Sequence, residues 1–204
     1  MDQNYIRNKI AAHKPNTEVV RGDHNLNPGM DPNGPLTPAA VLVPLILRAD
    51  GITILFTQRP LTMARHPGQI SFPGGHVDDV DISAEATALR ETEEEVGLSA
   101  RHIEPIGRLD TYVIRTGYSV TPVVGIVHPP FEIKPDAHEV DEVFEVPFSF
   151  LMDPTNHERH SRNFEGLKRE FYALPYEGRY IWGATAGMIV NLHTILTSPS
   201  GGSE

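Results

Sequence analysis

The chain has 204 residues, of which 27 are acidic and 17 basic, giving a net charge of −10, and it has no cysteine. That length suits one well-cored domain, and the lack of thiols excludes a disulfide scaffold, a thiolate zinc centre and a cysteine nucleophile. The charge argues against a general nucleic-acid partner, because a phosphate backbone would be repelled. No apolar run approaches the roughly 20 residues that cross a bilayer. Met1-Asp2-Gln3-Asn4 lacks the basic-then-apolar layout of a secretory signal. The expectation is a cytoplasmic protein with no membrane partner.

Residues 1–37 read as a flexible leader or peripheral arm. A short amphipathic stretch with Tyr5, Ile6 and Ile10 precedes a segment dense in Asn, Pro and Gly, which favours turns over a packed element. The main domain is expected over residues 38–198, with a disordered Gly-Ser tail at 199–204. Residues 40–47 read as a strand in which Pro44 implies an edge or a bulge. Asp50-Gly51 signals a hairpin turn, and residues 52–57 the returning strand. After a loop over 58–75, a helix is predicted over residues 83–96, stopped by Gly97. Strands follow at 103–114, 120–127, 143–146 and 169–174, with a helical turn at 148–152. The final helix is predicted over 182–196, where Gly183, Ala184, Ala186 and Gly187 would let its backbone approach a sheet. Strands with helices packed on them make an α/β sandwich.

The helix over 83–96 carries the chemistry. Glu91, Glu94 and Glu95 stand at i, i+3 and i+4 and share one face. Eight carboxylates and one arginine lie between Gly75 and Gly97. Three stacked carboxylates repel unless a cation sits among them, and hard oxygen ligands are what Mg²⁺ or Mn²⁺ takes. An ordinary solvated acidic helix is the competing reading. The preceding Phe72-Pro73-Gly74-Gly75 tips the balance: paired glycines let the backbone approach a ligand and free their carbonyls for coordination. The ten histidines are scattered without ligand spacing, so a zinc site is not expected.

The stretch Gly75…Arg90-Glu91-Thr92-Glu93-Glu94-Glu95-Val96-Gly97-Leu98 resembles the Nudix box, with Thr92 at a position that is usually a hydrophobe. Counting back from Arg90, the box spacing falls on His76 and Ile82 where a Gly and the first Glu are usual. Asp78, Asp79, Asp81 and Glu85 are the candidates to substitute for that acid. Upstream, Phe56-Thr57-Gln58-Arg59-Pro60 and His66-Pro67-Gly68-Gln69-Ile70-Ser71-Phe72-Pro73-Gly74-Gly75 resemble the additional signature of the coenzyme A pyrophosphatase branch. Thr121–Gly125, Glu139-Val140, Glu145-Val146-Pro147 and residues 181–186 extend the likeness.

The resemblance implies an α+β fold, a Nudix-type α/β/α sandwich with a mixed β-sheet. It implies hydrolysis of a phosphoanhydride, giving 3′,5′-ADP and 4′-phosphopantetheine from coenzyme A or its derivatives. Mg²⁺ or Mn²⁺ would be the cofactor. Glu91, Glu94 and Glu95, the Gly75 carbonyl and Glu139 are the expected metal ligands. Glu139 and Glu91 are rivals for the base. Arg90 is expected to orient a box glutamate rather than touch substrate. Arg59, Arg65 and His66, with Gly74 and Gly75, are the candidates for holding the anionic substrate. Against these stand blander roles: Arg59 packing its stem, His66 forming a turn, Glu139 lying on the surface. A broader nucleoside-diphosphate hydrolase acting on NADH or ADP-ribose, and a non-catalytic nucleotide-binding module, are the alternatives. A homodimer is expected by family analogy alone.

Overall fold

The protein is described by a computed structural model covering residues 1–15, 21–29, 34–63, 66–164 and 166–199. In chain order the elements are α1 (Gln3–Ala12), β1 (Arg21–Gly22), α2 (Asp23–Leu26), β2 (Thr37–Arg48), β3 (Gly51–Gln58), β4 (Ile70–Ser71), β5 (Gly74–His76) and α3 (Ala84–Val96). Then come β6 (Ile103–Arg108), β7 (Tyr112–Ile114), β8 (Tyr118–Val127), β9 (Glu142–Pro147), α4 (Phe148–Leu151), β10 (Glu158–Phe164), β11 (Leu167–Tyr176), β12 (Arg179–Trp182) and α5 (Ala184–Thr197).

Among the described residues, nine strands form one mixed sheet and β10–β11–β12 form a second, antiparallel one. The spine of the large sheet is the parallel pair β2–β8, in register from Thr37↔Tyr118 to Ile46↔Val127. β3 turns back antiparallel along β2, and β9 lies beyond it.

Alternation along these strands feeds two cores. Ala40, Leu42 and Ile46 of β2 join Val123 and Val127 of β8 beneath Ala88 and Val96 of α3. Val43 and Leu45, with Val124 and Ile126, face the other way onto α1 and α5 through Ile6, Ile10, Ile189 and Leu192. The result is a three-layer α/β/α sandwich with the carboxylate helix alone on one face.

Three expectations change. Pro44 marks neither an edge nor a bulge: β2 runs inside the sheet, and Pro44 sits where its neighbour changes from β5 (paired at 39–41) to β3 (paired at 45–48). A missing N–H is tolerated where one partner ends and the next has not begun. The strand expected over 103–114 is two strands, β6 and β7, parted by Leu109-Asp110-Thr111 after a register shift between Pro105 and Gly107. Trp182 closes β12 instead of opening the last helix, which begins at Ala184.

Residues 1–37 differ from a loose leader wherever they are described. Asp2 caps α1 by accepting from the Tyr5 N–H at 2.8 Å, and Ile6 and Ile10, one turn apart, are fully buried. The Tyr5 hydroxyl donates to the Leu196 carbonyl at 2.6 Å, and Arg7 pairs with Glu104. β1 pairs in parallel with β7, and Arg21 Nε donates to the buried Asp110 at 2.6 Å. Two isoleucines at i, i+4 suffice because β6 and α5 present an apolar seat for them. Most of the expected tail, residues 200–204, lies outside the described residues.

Candidate functional site

The helix α3 is fixed at both ends by its own sequence. Ser83 caps it, its hydroxyl accepting from the Ala86 N–H at 3.2 Å, and Gly97 ends it at φ 70°, a left-handed conformation that suits glycine. Thr92 is fully buried in the place where a hydrophobe is usual. Its hydroxyl donates to the Ala88 carbonyl at 2.6 Å, so no polar atom is left bare in the core.

The Gly74–Gly75 turn approaches this helix as β5, paired to Ala39–Val41 of β2. The Gly74 N–H donates to Glu95 at 3.2 Å. A Cβ on Gly75 would stand 2.5 Å from Cδ of Glu91 and 2.6 Å from its Oε1. The bare glycine therefore makes the niche in which the Glu91 carboxylate lies.

Arg90 is the hub of the acidic cluster. Its Nε and Nη2 donate to the two oxygens of Asp81 at 3.1 and 2.8 Å, a bidentate pair, and Nη2 also reaches the His76 carbonyl at 3.1 Å. Nη1 donates to Glu91 at 2.9 Å and to Glu94 at 3.0 Å. Of the four acids that could replace the missing box glutamate, Asp81 makes the bidentate pair to the arginine, and Asp78 lies 3.5 Å from Nη2. Glu85 is engaged elsewhere, both its oxygens accepting from Arg108 at 2.6 Å. Asp81 also accepts from the Thr87 hydroxyl at 2.9 Å. The Arg90 guanidinium and these further donors hold its carboxyl well below the usual carboxylate range.

The carboxylates differ in setting. Glu95 is 5% exposed. Burial pushes its carboxyl up to about 7, assisted by the charges of Glu139 and Glu91 and opposed by the Gly74 N–H and by Arg59. Burial also raises Glu91, against the pull of Arg90. Glu94 is exposed. Glu139 comes from the 136–141 loop, which is tied to both neighbours of the site. The Asp136 N–H donates to the Glu95 carbonyl at 2.9 Å, and the Asp141 N–H to the Gln58 carbonyl at 2.8 Å. Its side chain is exposed, yet its charge is felt at Glu91 and Glu95.

Among the described residues, no three His, Asp or Glu side chains enclose a single point suited to a metal ion. The convergence expected of Glu91, Glu94 and Glu95 is thus not present as placed: Arg90 lies between Glu91 and Glu94, and Glu95 turns to Gly74. The donor chemistry still fits a hard divalent cation. Carboxylate oxygens of Glu91 and Glu95 lie against the Gly74–Gly75 turn, and the Gly75 niche sets the Glu91 carboxylate against the backbone of β5.

The cationic candidates fall out unequally. Arg59 is clamped by its backbone, its N–H donating to the Gln69 carbonyl at 3.0 Å, and its Nε is buried without a hydrogen-bond partner. Its charge reaches Glu95. His66 takes φ 54° and its carbonyl accepts from the Gln69 N–H at 3.2 Å, closing a turn, with the side chain exposed. Histidine tolerates that conformation better than most residues. Arg65 lies outside the described residues.

These elements set a carboxylate-rich helix beside a glycine turn, and the family model for the NUDIX domain matches residues 36–169. The chain belongs to the Nudix family and is a Nudix hydrolase, a pyrophosphohydrolase with a mixed α+β fold. It is 41% identical over 154 residues to the "Uncharacterized Nudix hydrolase NudL" of Escherichia coli K12, spanning 76% of this chain and 80% of that one. It is 40% identical over the same length and coverage to the NudL of Shigella boydii. A Caenorhabditis elegans Ap4A hydrolase structure aligns at a TM-score of 0.48 and 23% identity, over 54% of this chain and 80% of that one. No helix among the described residues is long and apolar enough to cross a membrane.

Proposed function

We propose that the chain is a cytoplasmic, Mg²⁺- or Mn²⁺-dependent pyrophosphatase acting on coenzyme A or its derivatives, releasing 3′,5′-ADP and 4′-phosphopantetheine. The observation that carries this reading is the placement of Glu91, Glu95 and Glu139 about the Gly74–Gly75 turn, with Arg59 of the 56–75 signature close enough to act on Glu95. Glu91, Glu94, Glu95, Glu139 and the Gly75 carbonyl would hold the cation. Bound there, it would neutralise diphosphate oxygens and acidify a water.

The chain's own groups have distinct tasks in this reading. Asp81 anchors Arg90, and Arg90 neutralises and orients Glu91 and Glu94; contacts that Arg90 now makes would pass to a cation entering among the glutamates. In this reading Glu139, exposed beside the cluster, would take the proton of an attacking water, with Glu91 as the rival base. Arg59 brings positive charge toward the diphosphate.

The test is product analysis with coenzyme A and either cation, set beside NADH and ADP-ribose. Cleavage of coenzyme A to 3′,5′-ADP in preference to the others is expected. Equal rates on all three would leave a broad nucleoside-diphosphate hydrolase in its place, and binding without turnover a nucleotide-binding module.

A further inference from the structure

Outside the carboxylate cluster, the small β10–β11–β12 sheet carries an unusual face. Its inner face is core: Leu174 and Ile181, paired in register, are fully buried. Its other face, by the alternation of strands, carries His160 opposite Phe171, Arg162 opposite Arg169, and Trp182 opposite Ala173; Ala173 is buried there and His160, Arg169, Phe171 and Trp182 are half-buried. The rings meet there. Phe171 and Trp182 pack edge to face at 5.3 Å, and His160 lies 6.1 Å from Phe171 and 5.8 Å from Tyr180. His160 is locked on both sides, Nδ1 sharing a 2.6 Å hydrogen bond with the Tyr180 hydroxyl and Nε2 a 2.6 Å contact with Glu158. Arg162 and Tyr180 are exposed.

This face adjoins the signature loop. β12 packs along β4, and the Thr185 hydroxyl, three residues past Trp182, donates to the Ile70 carbonyl at 3.1 Å. β4 leads directly into Phe72-Pro73-Gly74-Gly75. Arg162, exposed on a chain of net charge −10, places positive charge on the face that carries the aromatic rings and adjoins the proposed diphosphate site.

We propose that the outer face of β10–β11–β12 is the subsite for the 3′-phosphoadenosine end of the substrate, with the base against Trp182 and Phe171 and the 3′-phosphate on Arg162. Every base offers a π-face to an aromatic surface, and a guanidinium pairs with phosphate through two N–H donors. Charge complementarity selects this occupant over an apolar one. The assignment rests on the coenzyme A reading above.

Trp182 is the sole tryptophan of the chain, so its fluorescence reports on this face alone. Titrating the full chain with 3′,5′-ADP in the presence of a chelator should give saturable quenching. Arg162→Glu should weaken that binding by about tenfold or more and raise KM for coenzyme A while sparing kcat. An unchanged Trp182 signal, or quenching equal in wild type and R162E, would overturn the assignment. So would a Trp182 signal that follows protein concentration, with a dimer in sedimentation that R162E dissociates, since the face would then belong to a second copy. Coenzyme A hydrolysis is measured in parallel. Hydrolysis without quenching removes this subsite and leaves the reading; quenching without hydrolysis keeps a 3′,5′-ADP site and removes the reading.

Discussion

Replacing Gly75 by alanine isolates the Glu91 niche. Gly75 is not among the glycines at positive φ, so the backbone accepts a side chain there without strain. The new methyl would stand 2.5 Å from Cδ of Glu91, whereas ordinary contacts begin at 3.4 Å, so the carboxylate must retreat by roughly 1 Å. The obstruction is the far end of a flexible side chain, so folding should change by no more than about 1 kcal/mol. Turnover should fall about 100-fold, because a misplacement of that size at a ligand suffices. Gly74→Ala is the contrast. Gly74 sits at φ 149°, and a Cβ would strike the Ala40 carbonyl and lie 2.6 Å from Cα of Val41, which is backbone of the central strand. That variant should lose about 1–3 kcal/mol of stability as well. The assay is kcat and KM on coenzyme A with Mg²⁺, beside thermal unfolding. Full turnover in a folded G75A would refute the role given to the niche.

Other outcomes follow from the same geometry. Asp81→Asn frees Arg90 and should cost about 10- to 100-fold in turnover with the fold retained; wild-type kinetics would show that Arg90 needs no anchor. With cations chelated, the folded protein retains a proton on Glu95 that the unfolded chain releases above its ordinary value, so stability should fall as pH rises from about 4.5 to about 7. The loss is bounded at roughly 3 kcal/mol. Glu95→Gln should flatten that fall and abolish turnover, and denaturant melts at the two ends of the range read it. Ile6→Ala should destabilise by about 2–5 kcal/mol; a neutral result would return α1 to the status of a loose arm.

The carboxylate helix was legible because its signals are local: a serine cap, a glycine stop, and glutamates at helical spacing. The β2–β3 hairpin was legible for the same reason. What escaped depends on partners distant in sequence. Asp81 could not be chosen from Asp78, Asp79 and Glu85 until Arg108 was seen to occupy Glu85. Pro44 misled because its tolerance depends on where β5 begins, thirty residues on. The long reading over 103–114 ran through a register shift that apolar pattern does not record. Residues 158–163 gave no strand signal, being polar and mostly exposed, although their ladder with β11 is continuous.

The bond from Tyr5 to Leu196 joins the first helix to the last across 191 positions. Ile10 likewise rests against Gly107. Consequently the β6 part of the α1 seat exists once the middle of the chain is made, while the α5 part is completed only when nearly the whole polypeptide has left the ribosome. Removing the end of α5 would therefore take away the Tyr5 bond and part of the α1 seat while leaving its β6 contacts in place.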